Sequence, residues 1–289
     1  MTVPAPTVTP APVVVRRLPG PAERAPRAHR RRRRLLETGL GIGVPVLLLV
    51  FWQLASSLGW VDSRSYPAPT TILDEAWTMS GRGELWPDIA QTGFRILSSF
   101  LIGALIGFLV GLATGLSPMT RAALEPLLNG LYTVPKLALL PIFLTVFGFG
   151  QLPQLMVVAV TVFFFVWIST SAAIVAVPEG FRDAGRSMGF SRVQMFTHVL
   201  FPAALPQVFV GLRIAAGVAV LVIIATEFLV GDNGLGFLIF DAQRLFLTAP
   251  MYVGIVCSAL LGVLFTAIIT WIGRKACPWA PRGNDIQPR

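Results

Sequence analysis

Apolar stretches and short polar breaks alternate along most of this chain, and the stretches are too long for the core of a soluble domain. Six of them, at about 38–59, 95–116, 129–149, 154–176, 207–230 and 251–273, come near or exceed the ~20 apolar residues that a bilayer core requires. The pattern predicts an all-α integral membrane protein with six transmembrane helices. It divides the chain into a tail at 1–34, a first membrane helix at 35–59, a polar loop at 60–94, a helical core at 95–275 and a short tail at 276–289. The first apolar stretch follows a basic segment, as a secretory signal does. It is long for a signal core, no A-x-A site follows it, and more spans come after, so an uncleaved signal anchor is expected.

The longest polar break in the second half is PEGFRDAGRSMGFSRVQMFTHVLFPAALP, from Pro178 to Pro206. It predicts two short helices with a stop between them. Pro178 suits a first helical position, and Glu179 and Asp183 precede Arg182 and Arg186 in the order the helix dipole favours. Gly189 reads as a left-handed helix stop, and Ser191 with Gln194 as a capping box that restarts a helix. Pro202 and Pro206 are expected to close the segment. Ala184 and Gly185 are small enough to let a foreign surface approach the backbone. Taken alone, the break could also be a solvated amphipathic loop.

The second span carries Gly103, Gly107, Gly111 and Gly115, each four residues apart, which makes one smooth stripe on a helix where another backbone can pack. Pro135 and Pro141 distort the third span, and Lys136 between them is expected to snorkel to the interface. In the loop at 60–94, Thr70 or Thr71 is expected to cap a short helix that carries Asp74 and Glu75. Glu227 stands three residues from the end of the fifth span, in IATEFLVG.

Composition agrees with the pattern: 54% of residues are apolar and 13% charged, outside the usual range of soluble domains. The net charge of +9 is uneven, because Arg16, Arg17, Arg24, Arg27 and Arg30 to Arg34 crowd the first 34 residues. Such a block beside a span marks the cytoplasmic side and meets anionic lipid headgroups; a nucleic-acid partner is not expected. With its many prolines, the segment 1–34 is expected to be a disordered basic tail. Placing the N-terminus in the cytoplasm puts Arg121, Arg182, Arg186, Arg192, Arg274 and Lys275 there too, and leaves Arg64, Arg82, Arg95 and Arg244 outside. Both termini and the break at 177–206 are then cytoplasmic, and 60–94 is extracytoplasmic. Cys257, Cys277, His29 and His198 form no metal-ligand or disulfide pattern, and no P-loop sequence occurs, so catalytic residues, cofactors and metals are not expected in this chain.

The break resembles the cytoplasmic signature loop of binding-protein-dependent ABC importer permeases. That loop runs acidic–Ala–small, three residues, Gly, nine residues, then aliphatic–x–aliphatic–Pro. Asp183-Ala184-Gly185, Gly189, Val199, Phe201 and Pro202 keep every spacing, with Asp for Glu, Gly for the second Ala and Phe for Leu as departures. The polar loop at 60–94 and the step GLGFLI after Glu227 are similar to the nitrate/sulfonate/taurine branch. The resemblance covers roughly Ile72 to Lys275. It implies a type I importer fold and a multi-pass cell-membrane permease, paired as a homodimer. Two ABC ATPase subunits would bind ATP and Mg, and an extracytoplasmic binding protein would deliver a small anion such as a sulfonate, taurine, nitrate or bicarbonate. Asp183, Ala184, Gly185, Gly189 and Pro202 would form the ATPase-coupling loop. For Glu227 two readings stand. The carboxylate reaches external water or Arg244, or it lies on the dimer-facing side of the fifth span and helps form an outer gate, as the family's usual glutamate before the GLG step favours. On the gate reading Glu227→Gln is expected to be milder than Glu227→Ala. A secondary transporter and a membrane-embedded enzyme are the alternatives. They are disfavoured by the lack of an internal repeat and by spans poor in convergent polar residues.

Overall fold

The computed structural model describes residues 26–280, with side chains from 39 onward, and these residues are helical wherever they are regular. The expected disordered tail lies outside the described residues for positions 1–25, as does the C-terminal tail from 281. Residues 26–34, expected to be disordered, instead begin the helix α1, Pro26–Ser57. Pro26 starts it, the next proline is Pro45, and the intervening arginines are good helix formers.

The described residues fall into two compact units, divided after Trp60. The first contains α1, whose stretch Gly39–Ser57 is long and apolar enough to cross a bilayer. In the second unit α2 (Pro69–Gly81) precedes α3 (Leu85–Leu116), which at 32 residues is about 48 Å long. Then come α4 (Pro118–Tyr132), a 3₁₀ turn (Lys136–Leu139), α5 (Leu140–Phe147) and α6 (Gln151–Val175). The rest is α7 (Glu179–Ser187), α8 (Arg192–Val230), α9 (Leu235–Arg244) and α10 (Thr248–Ala276). Besides α1, the helices α3, α6, α8 and α10 are single elements long and apolar enough to span.

The third expected span, 129–149, is not one helix. The pair Pro118–Tyr132 and Lys136–Phe147 is bent by 89°. Pro135 is the cause: it is extended (φ −61°, ψ 116°), and a residue before proline is driven out of the helical region. Lys136 stands directly at this break. Its ammonium turns back onto the freed carbonyls of Tyr132 and Val134 (2.8 Å for Val134) and lies 4.7 Å from the Phe164 ring centroid. The same device recurs at two other helix ends. Arg121 donates to the carbonyls of Thr114 (3.0 Å) and Gly115 (2.9 Å) at the end of α3, and Arg182 donates to the Ile174 carbonyl (3.1 Å) at the end of α6. Cations there add donors to carbonyls of the last turn and complement the helix dipole.

The core of the second unit is a three-helix contact. Ile96 and Phe100 of α3, Val158, Val162 and Val166 of α6, and Ala215, Ala219 and Ile223 of α8 are buried together. The glycine stripe explains how closely α3 and α6 approach. A methyl group on Gly107 would lie 2.5 Å from the Phe163 carbonyl oxygen, one on Gly111 2.6 Å from Thr170 Cβ, and one on Gly115 2.9 Å from Ile174 Cβ; on Gly103 it would strike the Ala159 carbonyl. All four glycines therefore face α6, and Trp167 closes the seam with an N–H bond to Thr114 Oγ1 (3.2 Å).

Two smaller expectations fail for local reasons. Neither Thr70 nor Thr71 is the N-cap of α2: Ala68 holds that position, with Pro69 in the first turn and no side-chain cap bond. Pro202 and Pro206 do not end the segment that begins at Ser191. The helix runs on from Arg192 to Val230 through a π-helical segment, Met195–Leu200. That wider turn lets the chain reach Pro202, which has no N–H to give, without breaking.

Candidate functional site

The break between α6 and α8 is a compact helical hairpin. Pro178 is the N-cap of α7 rather than its first residue, with an extended backbone (φ −55°, ψ 139°). Gly189 has φ +74°, and the bonds Gly189 N–H to Arg186 C=O (2.9 Å) and Phe190 N–H to Gly185 C=O (3.0 Å) close the helix end around it. The capping box then restarts the chain: Gln194 N–H donates to Ser191 Oγ (3.3 Å) and Ser191 N–H to Gln194 Oε1 (2.9 Å). Asp183 pairs with Arg186 at 3.1 Å, but both side chains are mostly exposed and the pair contributes little.

Gly185 does not open the backbone to a foreign surface. It is buried inside the hairpin, where an added methyl would lie 2.7 Å from Met195 Cε, so its smallness serves the packing of the two short helices on each other. Ala184 is exposed. So are three large apolar side chains on the same hairpin, Phe181 (57%), Met188 (72%) and Val193 (71%). Apolar side chains this exposed on an otherwise polar element mark a contact surface.

The second constellation is buried at the far end of α8 and centres on Glu227. The carboxylate reaches neither water nor Arg244: it is completely buried and salt-bridged to Arg95 of α3 at 2.8 Å. Thr92, one helical turn before Arg95, offers its hydroxyl to both carboxylate oxygens (3.0 and 2.9 Å), and Gly236 N–H donates to Oε2 (3.0 Å). Arg95 goes on to the Asn233 carbonyl (2.9 Å) and Asn233 Oδ1 (2.6 Å). Thr92 Oγ1 also accepts from Leu235 N–H (2.9 Å), and Asp88 accepts from Gly234 N–H (2.7 Å). α3 thus presents Asp88, Thr92 and Arg95 on one face, i, i+4 and i+7, to the turn between α8 and α9.

The GLG step takes its meaning from this cluster. Gly234 has φ +100°, and an added methyl there would lie 2.6 Å from Glu227 Oε1; one on Gly236 would lie 2.6 Å from Glu227 Cβ. Only glycine lets the turn lie directly on the carboxylate, with the Gly236 N–H bonded to it. Glu227 therefore points into its own chain, onto Arg95, Thr92 and the turn between α8 and α9. The sequence reading missed Arg95, taken as an outer-loop cation, together with Thr92 and Asn233. The available signal was a lone arginine and a lone glutamate, each near the same end of a span, where an unpaired charge is costly.

The described residues thus form a polytopic helical bundle with a preformed hairpin between α6 and α8 and a buried ionic cluster at the far end of α8. Residues 103–276 match the family described as binding-protein-dependent transport system inner membrane component, and the chain belongs to that family. SsuC of Escherichia coli (strain K12), described as an aliphatic sulfonates transport permease protein, is 37% identical over 82% of this chain and 90% of its own length. The taurine transport system permease protein TauC of the same organism is 31% identical (83% and 89%), and the nitrate import permease protein NrtB of Leptolyngbya laminosa 30% identical (85% and 89%). The fold is that of a solved importer. A chain of the MetNI methionine ABC transporter in an inward-facing form superposes with a TM-score of 0.52 at 21% identity, covering 63% of this chain and 93% of that one. The protein is accordingly a multi-pass inner-membrane permease component, with the type I importer fold expected of it.

Proposed function

We propose that this chain is the permease subunit of an ATP-driven importer for a small anion, of the sulfonate, taurine or nitrate class that its relatives' names carry. ATP and Mg belong to a separate ATPase, a binding protein delivers the solute, and two copies of the chain form the path. The observation that carries the coupling half of this reading is the hairpin at 177–206. Its fold is held by internal caps, while Phe181, Met188 and Val193 stand outward, as a surface that transmits force to another subunit requires. Asp183, Ala184, Gly189 and Pro202 shape that surface, Gly185 packs it from within, and the hairpin with both termini faces the cytoplasm.

The test is uptake of radiolabelled ethanesulfonate into proteoliposomes holding the permease with its ATPase and binding protein. Uptake should require ATP, and Ala184→Trp, which places a large ring on the exposed face of α7, should abolish it while leaving insertion and melting unchanged. Uptake driven by an ion gradient without ATP, or normal uptake by Ala184→Trp, would overturn the reading.

A further inference from the structure

Between α8 and α10 runs a cavity of about 1260 Å³. One wall is a face of α8 (Val210, Arg213, Gly217, Leu221), the other a face of α10 (Val263, Thr266, Thr270, Arg274). Most of the lining is aliphatic, but the two arginines gather at one end. The Phe209 ring lies against Gly273, and Trp279 donates its indole N–H to the Pro202 carbonyl (3.2 Å), so this is the end that bears the hairpin. Arg274 sits at the mouth and Arg213 about one helical turn deeper. Both are exposed, and among the described residues neither makes an ion pair or hydrogen bond. Next to Arg213 the wall is open: Gly217, one turn on, has nothing within 4 Å of an added methyl.

A cation on the uncovered face of a spanning helix is costly against lipid. Such residues face the bundle interior or a water-filled cavity and mark ion paths. Arg95 and Glu227 of the same membrane core are buried and paired with each other. Arg213 differs from them in having a charge, open space and no partner. Thr266 adds a hydroxyl on the opposite wall, whereas the Thr270 hydroxyl is donated to the Thr266 carbonyl (2.7 Å).

We propose that Arg213 is a station for the translocated anion, with Arg274 at the mouth drawing the anion outward to the cytoplasm. The guanidinium fork holds two oxygens of a sulfonate or similar oxyanion, and a second copy of the chain closes the groove. This assignment rests on the anion-import reading and names the residue that would make the path selective for anions.

The experiment uses the assembled transporter in proteoliposomes, with Cys257 and Cys277 replaced by alanine. Arg213→Cys should lower ethanesulfonate uptake at least tenfold, and Arg213→Lys should keep part of it. Modifying that cysteine with aminoethyl methanethiosulfonate restores a cation and should return at least a third of the uptake; the sulfonatoethyl reagent should return none. A merely structural role would not distinguish the two reagents. Equal response to both, uptake within twofold of the parent before modification, or a cysteine that neither reagent reaches would each overturn the assignment. A loss that appears only in vesicles containing phosphatidylglycerol, and not in phosphatidylcholine alone, would give Arg213 to a lipid headgroup instead. If the parent shows no ATP-driven ethanesulfonate uptake, the anion-import reading falls as well; if the parent transports and only the charge rescue fails, Arg213 alone is reassigned.

Discussion

Removing either half of the Arg95–Glu227 pair should destabilise the permease core far more than an ordinary surface ion pair would. Glu227 accepts from Arg95, Thr92 and Gly236, and Arg95 also donates to Asn233, with the arginine and glutamate both completely buried. Arg95→Ala strands a buried carboxylate, and Glu227→Ala strands a buried guanidinium. Breaking a buried pair in this way costs about 3–5 kcal/mol. At roughly 2–4 °C per kcal/mol for a chain of this size, the apparent melting midpoint should fall by about 6–20 °C. Glu227→Gln should not be mild, contrary to the expectation from size alone. Three donors converge on the carboxylate, so the amide NH₂ must oppose one of them, and the arginine still loses its counter-charge. Its stability should lie within about 1 kcal/mol of the alanine variant's, the size of a single neutral hydrogen bond. The double variant Arg95→Ala, Glu227→Ala should lose less than the sum of the singles, by up to about 3 kcal/mol, because neither charge is then left alone. The assay is thermal unfolding of the purified permease in one detergent, followed by intrinsic tryptophan fluorescence, for the parent, three single variants and the double. Single-variant shifts under about 2 °C that simply add in the double would refute the reasoning, since that is the behaviour of exposed charges worth about 1 kcal/mol or less.

Two further outcomes follow from packing and from orientation. Gly107→Val should cost about 1–3 kcal/mol or more by overpacking the α3–α6 seam, seen as a lower melting midpoint, whereas Gly130→Ala, with open space around an added methyl, should be neutral or slightly stabilising. In a chain lacking Cys257 and Cys277, Thr78→Cys should react with an impermeant thiol reagent added outside whole cells, and Ser187→Cys only after permeabilisation; the reverse pattern would invert the orientation argued from the arginines.

Much of the fold is legible without coordinates because it depends on local, one-dimensional quantities. Span length follows from bilayer thickness, and single helices long enough to cross were found at Leu85–Leu116, Gln151–Val175 and Thr248–Ala276, overlapping stretches visible from hydropathy alone. The Ser191–Gln194 capping box and the Gly189 stop are likewise contained in a few neighbouring residues. The four-residue glycine period announces a close packing face, although not that α6 is what packs there.

What only the tertiary structure decided involves partners remote in sequence or backbone that adapts to its context. Glu227 is an isolated carboxylate near a helix end until α3 brings Arg95 and Thr92 within 3 Å of it, across more than a hundred residues. The GLG step is a turn signal until its three N–H groups are seen to meet Asp88, Thr92 and Glu227. Pro202 reads as a helix end because proline removes a hydrogen bond, yet a π-helical segment absorbs the loss and the helix continues. Pro135, with the same chemistry, does break its helix, and a lysine caps the open end. Hydropathy and motif spacing thus determined that this chain is a multi-span permease. Long-range packing decided which of its charges are internal locks and which, like Arg213, remain free to meet an ion, because burial and pairing are properties of the assembled helices and not of any one of them.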